Sequence, residues 1–170
     1  MQKPTHAFLG VAFAAILGAV WVHAPSGIRL ALGFFDPFSS LPILLYVGVP
    51  RSLLLLLEGA ILGVLPDMDL SLKGVLDHRC GLTHSLISVL VIFPLIAVLF
   101  RASPLVGFFC TFSHWVSDAI TFQGVRTWGT SLSFFLGHKC DFRLAKFKSN
   151  SKIVNSLLCL ASLLVLGVLI

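Results

Sequence analysis

Charge is what this sequence has least of. Of its 170 residues only 11% are Asp, Glu, Lys or Arg, against 57% that are hydrophobic. Soluble domains carry about 25% charged residues, so a chain with less than half of that cannot wrap a globule in a hydrated surface. The same figures exclude a disordered segment and a disulfide-stapled secreted domain. The four cysteines (Cys80, Cys110, Cys140, Cys159) form no CxxC pair and no zinc-ribbon spacing. Cys110 and Cys159 lie in apolar runs and read as small core residues. Internal repeats and low-complexity tracts are missing too. The net charge of +5 reads as basic loops facing an anionic membrane surface, with no nucleic-acid partner expected.

What the chain does contain is a series of apolar runs. Crossing the hydrocarbon layer takes about 20 apolar residues, and the runs 7–22, 86–100, 105–122 and 153–170 reach or approach that length. Between the first two lies a less regular region, 30–65, broken by Asp36-Pro37, Pro42 and Pro50-Arg51. Its second half, 52–65, predicts a short apolar helix holding Glu58, readable as a partner for Arg51 or, more cheaply, as a hydrogen bonder at membrane depth. The expectation is an all-α, polytopic transmembrane bundle, with residues 1–170 forming one integral membrane domain. It would have about five crossings, four to six being compatible with the runs, and a broken or re-entrant element around residues 30–50. The first run, after Gln2-Lys3 and before Val22-His23-Ala24, also has the look of a signal peptide, but the later runs make the protein integral in either case.

Lys and Arg placement orients this bundle. With five crossings, Lys3, Lys73, Arg79, Arg126, Lys139, Arg143, Lys146, Lys148 and Lys152 share one side, and Arg29, Arg51 and Arg101 the other. The richer side is cytoplasmic by the positive-inside rule. Residues 139–152 become a basic cytoplasmic loop before the last span, in a multi-pass protein of the cell (inner) membrane.

Six of the seven acids are aspartates, and their positions are informative. Asp67 and Asp69 sit in Leu-Pro-Asp-Met-Asp where the second span emerges. His78-Arg79 and Thr83-His84-Ser85 lie where the third enters. Ser113-His114-Trp115-Val116-Ser117-Asp118 fills the later half of the fourth, and His6 precedes the first. All of these belong to the cytoplasmic side in the five-crossing topology. An aspartate inside a span costs at least about 2.5 kcal/mol, so such groups are functional candidates by default. His114 and Asp118, four apart, share one helix face. Pro66 ends a helix, so the following Asp-x-Asp is offered from a tight turn. Thr83 is expected to cap the third span and fix His84 in its first turn. His6, Asp67, Asp69, His78, His84, His114 and Asp118 together make an imidazole and carboxylate set. That donor chemistry suits zinc or manganese and is large enough for one or two divalent ions. His23, at the opposite face, and His138, in the basic loop, are not assigned to it.

In order along the chain, Thr5-His6, Leu65-Pro66-Asp67-Met68-Asp69, His78-Arg79-x-Gly81-x-Thr83-His84-Ser85 and Ser113-His114-Trp115-x-x-Asp118-x-x-Thr121 resemble the YdjM-type family of inner-membrane, metal-dependent hydrolases. The likeness covers about residues 4 to 126, with Gly124-Val125 after the last motif. It implies a hydrolase in a bacterial or archaeal cell membrane. Two features depart from the family pattern: Cys80 adds a residue between Arg79 and Gly81, and the stretch 147–155 has Lys152 but no acid.

The function expected from these readings is a membrane-bound metal-dependent hydrolase, its metal activating a water against an ester or phosphoester at the cytoplasmic interface. Asp67 or Asp69 is a candidate general base. Arg79 is placed to hold an anionic substrate group, and Ser85 to donate a hydrogen bond. Membrane lipids are the expected surroundings and a lipid-like molecule the expected substrate. The alternatives are a metal-stabilised scaffold recruiting a cytoplasmic partner through 139–152, and an ion transporter using Glu58 and the broken region.

Overall fold

A computed structural model describes residues 3–31, 33–37, 50–68, 81–121, 144, 147–148 and 151–169. These are all-α. Helix α1 (Lys3–His23) is followed by α2 (Ser26–Ala31) and a 3-10 turn at Gly33–Phe35. Next come α3 (Arg51–Val64), a 3-10 turn at Leu65–Asp67, and α4 (Gly81–His84). A π segment at Ser88–Ile92 leads into α5 (Phe93–Leu99), then α6 (Pro104–Ala119) and α7 (Lys152–Leu169). Of the broken element expected around 30–50, the described residues include only the end of α2, the Gly33–Phe35 turn with Asp36 and Pro37, and Pro50; residues 38–49 fall outside the described part, as does most of the basic loop 139–152.

Among the described residues two helices, α1 and α7, are long and apolar enough to cross a membrane. With 14 and 16 residues, α3 and α6 rise about 21 and 24 Å, less than a full crossing.

Polar groups are buried in the bundle while many large apolar side chains are exposed. Thr5, His6, Asp67, His84, His114 and Asp118 are buried, whereas Leu57, Ile61, Val91, Leu95, Leu160 and Leu164 point outward. Apolar surface on this scale marks an interaction with lipid or protein.

Small residues set the tightest crossing. On α3, Gly59 and Gly63 are four apart and face Gly10 and Ala14 of α1. A Cβ at Gly59 would lie 2.6 Å from both the Ala14 Cβ and the Gly10 carbonyl oxygen, and one at Gly63 would lie 2.5 Å from the His6 carbonyl oxygen. Only glycine lets the two backbones touch in this way, the close approach favoured where helices pack without a hydrophobic drive between them. At a second close crossing, a Cβ on Gly107 of α6 would meet Ala97 of α5 at 2.7 Å.

The π segment has a cause in Pro94, which lacks the N–H that an α-helix would direct to Leu90. The helix widens there, and the Phe93 N–H reaches back five residues to the Ser88 carbonyl. The Ser88 hydroxyl donates to the Leu82 carbonyl at 2.7 Å and meets the Ser85 hydroxyl at 2.9 Å. Such segments are frequent beside functional sites, and this one starts four residues after His84.

At the start of α6, Ser103 accepts from the Leu105 N–H at 3.3 Å and donates to the Phe35 carbonyl at 2.9 Å. One side chain thus caps a helix and ties down the Gly33–Phe35 turn. Ser103→Ala is expected to destabilise the fold by about 1–2 kcal/mol, read as a lowered melting temperature in detergent with metal content unchanged.

The helices alternate in direction. The N-terminal turn of α1 (His6), the end of α3 (Asp67), α4 (His84) and the last turns of α6 (His114, Asp118) come together in space. The first turns of α7 join them, because Thr5 Oγ1 donates to Asn155 Oδ1 at 2.7 Å. Past α6 the returning chain is pinned by the Leu144 N–H on the Ala119 carbonyl and the Phe147 N–H on the Ile120 carbonyl.

Candidate metal centre

At that shared end three imidazoles and two carboxylates meet with almost no exposure. His6, His84, His114 and Asp118 are at most 1% exposed and Asp67 is 4% exposed. Asp67 Oδ1 lies 3.7 Å from His84 Nε2 and 3.5 Å from His114 Nε2. Asp118 Oδ2 lies 3.4 Å from His84 Nε2 and 3.5 Å from His114 Nε2. The two Nε2 atoms are 3.2 Å apart. Ligands bound at 2.0–2.1 Å around a tetrahedral ion are about 3.3–3.4 Å from one another, and these edges fall close to that length. His6 stacks on His114, ring centroids 3.7 Å apart. Its Nε2 faces Asp118 Oδ1 at 3.5 Å and Asp67 Oδ2 at 3.9 Å. His6, Asp67, His114 and Asp118 can therefore hold a metal ion, and His84 Nε2 faces the same two carboxylates.

The other nitrogen of each ring fixes its orientation. His114 Nδ1 is 2.7 Å from the Gly63 carbonyl; a carbonyl only accepts, so Nδ1 carries the proton and Nε2 offers its lone pair to the centre. Ser117 donates its hydroxyl to the His114 carbonyl at 2.8 Å, and its oxygen accepts from His6 Nδ1 at 2.9 Å. His84 Nδ1 meets Thr83 Oγ1 at 2.8 Å. The three Nδ1 atoms are held by oxygens and the three Nε2 atoms converge, as in metal sites where outer partners set the tautomer. Facing lone pairs repel one another, and a cation between them removes the repulsion.

Burial would raise the Asp67 carboxyl, but a hydrogen bond from His84, followed by the charge that His114 and His6 carry when protonated, outweighs it and holds the group below its ordinary range while no cation sits between them. Asp67 therefore enters the centre as an acceptor, ready to coordinate.

Local sequence explains who arrives. Pro66 turns α3 into the 3-10 turn and aims Asp67 inward. His114 and Asp118 share a face of α6. The glycine crossing presses α1, and with it His6, against the end of α3.

Of the residues anticipated from the chain, the structure brings together His6, Asp67, His84, His114 and Asp118. Asp69, His78, Arg79 and His138 lie outside the described residues. His23 is at the exposed far end of α1, away from the centre. Thr83 requires a correction: α4 begins at Gly81, so Thr83 is no N-cap and instead fixes His84 through Nδ1. Ser85 bonds with Ser88 and so supports the π segment. Glu58 is buried, on the wall of an apolar groove of about 250 Å³ between α3 and α5. Arg51 is exposed at the start of α3, about 10 Å of helix rise from Glu58, which disfavours reading the two as partners.

Sequence reasoning assigned no role to Ser117 or to the Gly63 carbonyl. The faint signal for Ser117 is its place beside Asp118, three residues after His114. Ser117→Ala is expected to lower metal affinity about 10–100-fold, the usual effect of losing an outer partner, measured by competition with a chromophoric chelator.

The class defined by fold and site is an all-helical protein with a buried, metal-capable histidine and aspartate centre at one end of its bundle. No model of a known protein family matches the chain, and no curated protein and no solved structure matches it either.

Proposed function

We propose that this protein is a metal-dependent hydrolase of the YdjM type that its motifs resemble, a multi-pass protein of the inner membrane working at the cytoplasmic interface. The observation carrying this reading is the convergence of His6, Asp67, His84, His114 and Asp118, drawn from four separate segments, on one buried point. The two membrane-length helices and the apolar exterior support the location, together with the one-sided Lys and Arg placement expected from the sequence in a five-crossing bundle.

Nitrogen and carboxylate donors without thiolate suit zinc or manganese. A bound ion of this kind supplies an acidified water and polarises the group to be cleaved. The chain's own residues do the rest. Gly63, Ser117 and Thr83 hold the rings in register, Asp67 and Asp118 offer the oxygens that would hold the ion, and Asp69 is the candidate to take up a proton from the attacking water. Arg79 is the candidate for an anionic substrate group. Lipid-like esters or phosphoesters are the substrate class that such a location favours.

One observation favours a second reading. All five donors are buried, and a closed shell is the habit of structural metal sites, which would make the centre a clasp for a membrane scaffold. The experiment that separates the readings is turnover. Purified protein in mixed micelles is expected to hydrolyse p-nitrophenyl phosphate or an acyl p-nitrophenyl ester, with activity removed by chelation and restored by zinc or manganese. Stoichiometric metal with no hydrolysis of either would favour the scaffold.

A further inference from the structure

The two carboxylates do not present the same oxygen to every histidine. Oδ1 of Asp67 and Oδ2 of Asp118 face His84 and His114. The other oxygens, Oδ2 of Asp67 and Oδ1 of Asp118, face His6. His6 Nε2 is fully buried, has no hydrogen-bond partner, and belongs to a ring stacked on His114. The donors thus divide into two sets that share both carboxylates.

We propose that the centre holds two divalent ions bridged by Asp67 and Asp118. One lies among His84 Nε2, His114 Nε2, Asp67 Oδ1 and Asp118 Oδ2; the other lies against His6 Nε2, Asp67 Oδ2 and Asp118 Oδ1. This inference rests on the hydrolase reading of the same cluster and narrows it. The first set is complete for a four-coordinate ion, whereas the second has three protein donors and keeps positions for water or substrate, which is the mark of a catalytic ion. Carboxylates that offer one oxygen to each of two ions hold them at the roughly 3.5–4 Å separation used to clamp the attacking and leaving oxygens of an in-line displacement. That geometry serves phosphoester hydrolysis, in which water attacks phosphorus, the P–O bond to the alcohol breaks, and the alkoxide leaves with a proton. The substrate class is therefore a phosphoester in preference to a carboxylic ester.

The full chain, purified in detergent, stripped by chelation and saturated with Mn²⁺, tests this by elemental analysis and electron paramagnetic resonance. Two ions per chain with an exchange-coupled multiline spectrum are expected. His6→Ala should retain one ion per chain with an uncoupled hyperfine sextet, and should lower phosphoester hydrolysis at least 100-fold. Should that variant not elute as a single species, His6→Gln replaces it, and the wild-type stoichiometry decides in any case. One ion per wild-type chain with an uncoupled spectrum overturns the two-ion centre and leaves the hydrolase reading standing; no bound ion overturns both.

Discussion

Replacing His114 with alanine should empty the centre. Its Nε2 is within 3.5 Å of a donor oxygen on both Asp67 and Asp118 and 3.2 Å from His84 Nε2, and its ring stacks on His6, so it touches every other donor of the cluster. Losing an outer partner alone costs about 10–100-fold in metal affinity. Removing a ligand should cost more than about 100-fold, enough to leave the purified variant with little metal. The change also strands the Gly63 carbonyl, whose buried bond to Nδ1 is worth about 1–3 kcal/mol once broken. The variant should therefore melt at a lower temperature as well as lose its ion. His23→Ala, at the exposed end of α1, should change neither. Unchanged metal content in the His114 variant would mean that the cluster is only a polar seam between helices.

Gly59→Leu is expected to damage the fold and the centre together. Overpacking in an ordinary core costs about 1–3 kcal/mol. Here the added side chain meets the Gly10 carbonyl and the Ala14 Cβ at 2.6 Å, and a backbone carbonyl cannot rotate away. The cost should reach or exceed the upper end of that range. Because α1 carries His6 and α3 ends at Asp67, prising the helices apart separates two donors, so metal should be lost along with stability. Gly107→Leu crowds Ala97 and Phe93 at the other crossing. It should lower the melting temperature while most of the metal stays bound. Gly167→Leu, with open space around it, should do neither. Metal analysis beside thermal unfolding in detergent separates the three.

Much of the centre could be anticipated because its donors carry local signals. His114 and Asp118 are one helical turn apart, Asp67 follows a helix-ending proline, and a charged or imidazole group beside an apolar run is costly enough to demand a reason. What could not be anticipated lies in tertiary pairing. Ser117 meets His6 across 111 residues and Gly63 meets His114 across 51, and no periodicity records such a pair. The Gly59 and Gly63 spacing is visible in the chain, yet which helix it would meet depends on the whole packing. Thr83 looked like a helix cap because threonine favours that position. The helix starts two residues earlier, at Gly81, and the hydroxyl serves the imidazole instead.

X-ray absorption at the edge of the bound metal tests the central claim most directly. A first shell of nitrogen and oxygen only is expected, at about 2.0–2.2 Å, with outer-shell imidazole scattering that diminishes in His84→Ala. A shell containing sulfur at about 2.3 Å, or one without imidazole scattering, would contradict it.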